Sequence, residues 1–132
     1  MNRFALISGG LLILLCGSAQ ADWAEVAPGN NIYSAYADPA SIHGNGGVVT
    51  MYGLYDFRKQ DFTPEGHGLY STVVQREYDC AGRRVRLLSS VDFSGHMGKG
   101  EAVSTSSRQG RWEAVHEAGI DDAYLRFACA TK

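Results

Sequence analysis

Apolar residues recur at every second position through much of the chain, which is the pattern of half-buried β-strands. The longest such run, residues 48–57, is apolar in both alternating sets. It therefore predicts a central strand covered on both faces. Shorter strand candidates lie at residues 31–37 and 101–107. An exposed loop is expected at residues 59–68, where charges, glycines and Pro64 collect.

A β-hairpin is the clearest local unit. Two extended runs, residues 69–80 and 83–93, are separated by Ala81-Gly82, which is typical of a tight turn. In the second run, apolar side chains are expected on one face and polar ones on the other. The apolar set is Val85, Leu87, Val91 and Phe93, and the polar set is Arg84, Arg86, Ser90 and Asp92.

The last part of the chain changes to helical spacing from Ile120 onward. Asp121 and Asp122 would lie in the first turn, where negative charge suits the helix dipole. The patterns together predict a mainly β (α+β) fold, with an antiparallel sheet of about five or six strands and one C-terminal α-helix.

The chain begins with the features of a secretory signal peptide. Arg3 precedes an apolar run at residues 4–16, and Ala19-Gln20-Ala21 has the small residues that signal peptidase requires. We therefore expect a signal peptide at residues 1–21 and a single exported domain at residues 22–132. The apolar run is shorter than the roughly 20 residues of a membrane-spanning helix, and no transmembrane segment is expected in the mature chain.

A lipoprotein is the minority alternative for this leader. Cys16 follows Leu14-Leu15, whereas a lipoprotein signal prefers a small residue directly before its cysteine. The leader thus predicts export, and it leaves open a periplasmic, outer-surface or secreted location.

Two cysteines, Cys80 and Cys129, remain after the leader is removed. An even pair in an oxidising compartment predicts a disulfide bond. Closing the chain between these positions would stabilise the fold by about 4 kcal/mol in the chain-entropy treatment. The bridge would fasten the helix to the end of the hairpin.

Charge and motifs argue against nucleic-acid binding and catalysis. The formal charge of −2 becomes −3 once Arg3 is removed, so the domain lacks the basic excess of nucleic-acid-binding proteins. No serine lies in a G-x-S-x-G motif, and no carboxylate pair lies in apolar surroundings. We expect no enzyme activity, no cofactor and no metal site. The histidines, His43, His67, His96 and His116, are scattered without ligand spacing.

Several segments, in their order along the chain, resemble the surface-adhesin E family of small exported bacterial proteins. The strongest stretch is Glu77-Tyr78-Asp79-Cys80, followed by Arg83-Arg84 and Arg86-Leu87-Leu88. The other matching residues are Trp23, Tyr36-Ala37-Asp38-Pro39-Ala40-Ser41-Ile42, Tyr70-Ser71, Phe93-Ser94-Gly95, Trp112, Val115 and Ala128-Cys129. Tyr52 departs from the pattern, since family members often have tryptophan there.

The resemblance implies a curved antiparallel sheet with a C-terminal helix held by a Cys80–Cys129 bridge. It also implies adhesion, that is, binding of host extracellular-matrix or serum proteins at the bacterial surface. Fold carries over between relatives more safely than function does.

Four arginines are the best binding candidates. Arg84 and Arg86 would share one strand face beside Arg83, and Arg76 would lie on the partner strand. Such a patch can hold an acidic protein segment or a sulfated glycan. The alternative is a solvated strand face whose charges protect a sheet edge.

Two functions follow from these observations. The first is a non-catalytic exported binding protein of the bacterial envelope, a surface adhesin for host matrix or serum proteins. The alternative is a periplasmic structural or accessory protein without a host ligand. The sequence leaves open whether the protein forms a homodimer through a sheet edge.

Overall fold

The computed structural model describes Gly10, residues 21–45 and residues 47–130. The predicted signal peptide, Cys16 included, lies outside the described residues except for Gly10 and Ala21. The strands of the described part are β1 (Ala24–Ala27), β2 (Tyr33–Ala37), β3 (His43–Asn45), β4 (Val48–Phe62), β5 (Gly68–Asp79), β6 (Arg84–Phe93), β7 (Ala102–Ser106) and β8 (Glu113–Ala114). One α-helix, α1 (Ile120–Cys129), follows them, and short 3-10 turns lie at Pro39–Ser41 and His96–Gly98.

The strands form one antiparallel sheet in the order β1-β2-β4-β5-β6-β7. β3 pairs with the start of β4, and β8 pairs with the start of β6. The predicted antiparallel sheet is therefore confirmed, and the six strands of its main path agree with the expected five or six. β3 and β8 were not predicted, because strands this short leave no periodic pattern in the sequence.

β4 is longer than predicted. The backbone N–H of Arg58 donates to the carbonyl of Ile32 at 2.9 Å, and Phe62 at the end of the strand pairs with Gly68. The prediction of a loop from residue 59 was therefore wrong for residues 59–62. Backbone pairing with β5 keeps this polar segment extended, which side-chain composition does not reveal.

The two faces of β4 are covered unequally. Met51 is buried on the face that carries α1, and Leu54 is buried on the other face by the 3-10 turn at His96–Gly98. Val48 and Tyr52 remain exposed on that second face. The prediction that β4 is covered on both faces is thus wrong for its first half.

β6 contains a β-bulge. Leu87 pairs with Arg76 of β5, and Ser89 pairs with Gln75, so Leu88 is an extra residue between the two pairs. Residues directly opposite each other share a face, and one inserted residue reverses the alternation beyond it. The prediction of one apolar face was therefore wrong: Val85 and Leu87 lie on the helix side, whereas Val91 and Phe93 lie on the other side.

The predicted C-terminal helix is confirmed, and it packs on one face of the sheet. The fully buried Tyr124 is its main anchor, because its hydroxyl donates to the carbonyls of Tyr36 and Leu54 at 2.9 and 3.2 Å. The predicted disulfide joins Cys80 at the end of the hairpin to Cys129, with their Cα atoms 5.8 Å apart. No helix among the described residues is long and apolar enough to cross a membrane.

Candidate binding site

The structure distributes the four predicted arginines over three environments. Arg84 and Arg86 lie opposite acidic residues of β5, on the sheet face away from α1. Arg76 lies on the helix face, because its cross-strand partners are Met51 and Leu87. Arg83 is in the hairpin turn with a positive φ of 51°, and its guanidinium pairs with Asp122 of the helix. The fold therefore brings Arg84 and Arg86 together and places Arg76 on the opposite face.

Trp112 joins Arg84 and Arg86. The segment before β8 returns along the edge of β6 and places the indole ring beside both guanidinium groups. The ring centroid is 5.2 Å from Cζ of Arg84 and 4.5 Å from Cζ of Arg86, which is within cation–π range. We call Arg84, Arg86 and Trp112 the arginine–tryptophan stack.

Carboxylates on β5 compensate the charges of the stack. Arg84 pairs with Asp79 at 2.8 Å, and Arg86 pairs with Glu77 at 2.6 Å. The backbone N–H of Gly82, together with Arg84, holds the pKa of Asp79 below its ordinary value. The arginine side chains nevertheless remain 50% and 27% exposed. The guanidinium groups of the stack are therefore accessible to a ligand, although Asp79 and Glu77 partly neutralise their charge.

The segment at residues 107–112 adds two cations that the sequence reasoning missed. Gly110 ties the segment to β6, because its N–H donates to the carbonyl of Leu87 at 2.8 Å. Arg108 and Arg111 on either side of it are exposed. Neither forms an ion pair within the part of the chain that the structure describes.

Arg76 lies among tyrosines on the helix face. Its Nη1 donates to the hydroxyl of Tyr55 at 2.7 Å, and its Cζ lies 5.4 Å and 5.8 Å from the ring centroids of Tyr55 and Tyr124. Burial raises the pKa of Tyr55, Tyr78 and Tyr124, so these phenols stay neutral at physiological pH. Arg76 is therefore held by neutral rings and hydroxyls, and its nearest carboxylate, Asp121, is 3.7 Å away.

His96 and Asp56 form a histidine–carboxylate contact of the kind found in catalytic sites. Nδ1 of His96 lies 3.1 Å from Oδ1 of Asp56, and the imidazole packs against Tyr70 with ring centroids 4.4 Å apart. Oδ1 of Asp56 also accepts from the backbone N–H of Met97 at 2.9 Å. The contact thus anchors the 3-10 turn to the sheet. Among residues 21–45 and 47–130, no group of three histidine, cysteine or acidic side chains is placed to hold a metal ion.

Comparisons with known proteins agree with this geometry. The family model described as "Surface-adhesin protein E" matches residues 23–130. A selenomethionine form of protein E from Haemophilus influenzae has the same fold, with a TM-score of 0.67 and 14% sequence identity over 85% of this chain and 88% of that chain. A second crystal form of protein E gives a TM-score of 0.61 and 15% identity over 81% of this chain and 96% of that chain. No curated protein shows significant sequence similarity to this chain.

Proposed function

The chain belongs to the surface-adhesin protein E family, and from this premise we propose that it is a non-catalytic exported protein that binds host extracellular-matrix or serum proteins at the bacterial surface. The fold is shared with protein E of Haemophilus influenzae at low sequence identity. Host binding by this chain is therefore argued from its own surface.

The arginine–tryptophan stack is the observation that carries the proposal. Tryptophan and arginine are enriched among the residues that dominate protein–protein binding energy. Here the two arginines are packed on Trp112 and paired with acidic neighbours, so the side chains are partly ordered before a partner arrives. Preorganised contacts lose less conformational entropy on binding. The sheet face around the stack also exposes Tyr52, a further residue type favoured at interfaces.

Charge reversal in the stack tests the proposal. We expect the purified mature chain to bind at least one of immobilised fibronectin, laminin and collagen saturably in a surface plasmon resonance assay. Arg84→Glu combined with Arg86→Glu should abolish that binding, because each new carboxylate faces Asp79 or Glu77 and repels acidic partners. The matched control reverses two cations at the far end of β4, Arg58→Glu with Lys59→Glu, and should retain binding.

Circular dichroism and thermal melting must show that both double variants fold. Equal binding by the stack variant and the wild type would reject the stack as the contact surface. Failure of the wild type to bind any matrix or serum protein would reject the adhesin function itself.

Protease accessibility tests the proposed location. Digestion of the chain on intact cells is expected if it is displayed at the surface. Protection until the outer membrane is permeabilised would contradict surface display and would favour the periplasmic accessory role.

A further inference from the structure

A cleft of about 330 Å³ opens at the edge of β6, beside the arginine–tryptophan stack. Three guanidinium groups line it, from Arg76, Arg86 and Arg111. Val85 and Leu87 of β6 supply apolar lining between them. The cleft thus combines three arginines and aliphatic side chains in one cavity.

Arg76 presents unused hydrogen-bond donors to this cleft. A guanidinium has five N–H groups, of which Arg76 gives one to the hydroxyl of Tyr55 and one to that of Tyr78, so others remain. Asp121 lies beyond hydrogen-bond distance at 3.7 Å. The Arg76 side chain is 19% exposed, so a ligand in the cleft can reach part of it.

Arg111 supplies a second cation to the cleft. It lies on the segment that Gly110 fastens to β6, it is exposed, and it forms no ion pair within the described residues. Arg86 already pairs closely with Glu77 at 2.6 Å, whereas Arg76 has only the longer contact with Asp121. The cleft donors least engaged by internal carboxylates are therefore those of Arg76 and Arg111.

We propose that the edge cleft binds a carboxylate side chain from an acidic segment of the partner protein. The carboxylate lies between Arg76 and Arg111, and a neighbouring aliphatic side chain of the partner packs on Val85 and Leu87. This inference rests on the proposed function, since it names the chemistry of the ligand that the adhesin recognises.

The acidic residues of the cleft explain why the ligand is a peptide. Glu113 and Asp121 also line the cavity. Like charges brought together across an interface disfavour a ligand strongly, so a sulfated glycan with negative charge on every repeat is repelled. An isolated carboxylate flanked by neutral residues brings only one negative charge near Glu113 and Asp121, and the three arginines of the cleft outnumber these two acidic residues.

The test uses two short peptides and the folded chain. The first peptide is acetyl-Gly-Glu-Leu-Gly-Glu-Leu-Gly-amide, and the control peptide has glutamine at both glutamate positions. Titration followed by NMR should shift the Nε–Hε resonances of Arg76 and Arg111 with the glutamate peptide only. Arg111→Ala should weaken that peptide about tenfold, as expected for a lost charge-assisted hydrogen bond. Arg108→Ala removes an equal charge three residues away, outside the cleft, and should change the affinity less than twofold.

Three results would overturn the inference. They are equal binding of the glutamine peptide, equal losses in Arg111→Ala and Arg108→Ala, and tighter binding of heparin that Arg111→Ala abolishes. Binding of matrix proteins without binding of the glutamate peptide would reject the cleft and leave the adhesin function standing. Peptide binding in a chain that binds no matrix or serum protein would reject the adhesin function and leave the cleft standing as a carboxylate site.

Discussion

The two faces of the sheet surround their arginines with different partners. On the helix face, Arg76 lies beside the rings of Tyr55 and Tyr124 and is mostly buried. On the opposite face, Arg84 and Arg86 stack on Trp112 and keep exposed edges. The residue type is the same, and the same pair of strands supplies all three.

The difference follows from what covers each face. α1 closes the helix face and removes its polar groups from water, so each of them requires an internal partner. The opposite face is covered by the turn at His96–Gly98 at one end, and the end with Arg84 and Arg86 remains open. The guanidinium of Arg76 on the closed face is therefore mostly engaged in packing and is reached only at the edge cleft, whereas those of Arg84 and Arg86 are exposed on the open face.

The largest expected effect comes from releasing the helix from its face. Cys80→Ala should destabilise the fold by about 4 kcal/mol, because the bridge closes a long loop. For a domain of this size the melting temperature should fall by more than about 10 °C. Differential scanning calorimetry under oxidising conditions measures the change.

The combined variant Cys80→Ala with Cys129→Ala is the control for this prediction. It should match the single variant, since either change removes the same bond, and reductant should lower only the wild type. An unchanged melting temperature in the single variant would show that the helix face is held together without the bridge.

A smaller effect is expected from crowding the helix against the sheet. A Cβ added at Gly53 would lie 2.9 Å from Cε1 of Tyr124, whose ring cannot move away because its hydroxyl is bonded to Tyr36 and Leu54. Gly53→Ala should therefore cost about 2 kcal/mol, as overpacking of a core does. Urea denaturation measures the loss.

Gly110→Ala is the control variant for Gly53→Ala, because the atoms nearest to position 110 belong to Leu87 and not to the helix. Its added Cβ would meet Leu87 at an ordinary 3.4 Å, so its stability should stay close to that of the wild type. Similar losses in the two alanine variants would mean that the contact with Tyr124 does not limit position 53.

The smallest effect is a loss of stability in acid. The hydrogen bond from Arg83, with the N–H of Ala118 and the charge of Arg126, holds the pKa of Asp122 below its ordinary 3.8. A carboxyl group with a lowered pKa in the folded state stabilises the fold above a pH of about 4, and this contribution is lost as the pH falls further. The melting temperature of the wild type should therefore drop between about pH 5 and about pH 2.5.

Asparagine variants distinguish the contributions of the two faces to this loss of stability in acid. Asp122→Asn should flatten the pH dependence from the helix side, and Asp79→Asn should flatten it from the open side, where Gly82 and Arg84 lower the pKa. Identical pH profiles for the wild type and both variants would show that neither carboxylate contributes.

Much of the fold follows from local patterns in the sequence. The hairpin and the amphipathic C-terminal segment carry the periodicity of elements buried on one side, and the long central strand is marked by a continuous apolar run. The disulfide follows from cysteine count and export. The bulge at Leu88 and the extension of β4 to Phe62 escaped prediction, because backbone pairing with neighbouring strands sets both.

Less of the candidate site could be predicted. The sequence pointed to Arg84 and Arg86 on one strand face, and the register agrees. Arg76 looked like a member of the same patch, yet pairing with β4 turns it toward the helix. Trp112 and Arg111 had no local signal, since only the return of residues 107–112 along the edge of β6 brings them to the arginines.

The sequence alone thus determined the longer strands, the helix and its covalent link to the hairpin, and the family, because each depends on residues close in the chain or on pairwise counts. Tertiary structure decided which arginines are buried, which share an aromatic partner and which line a cleft. Those properties depend on strand register and on loop paths, where a shift of one residue moves a side chain to the other face of the sheet.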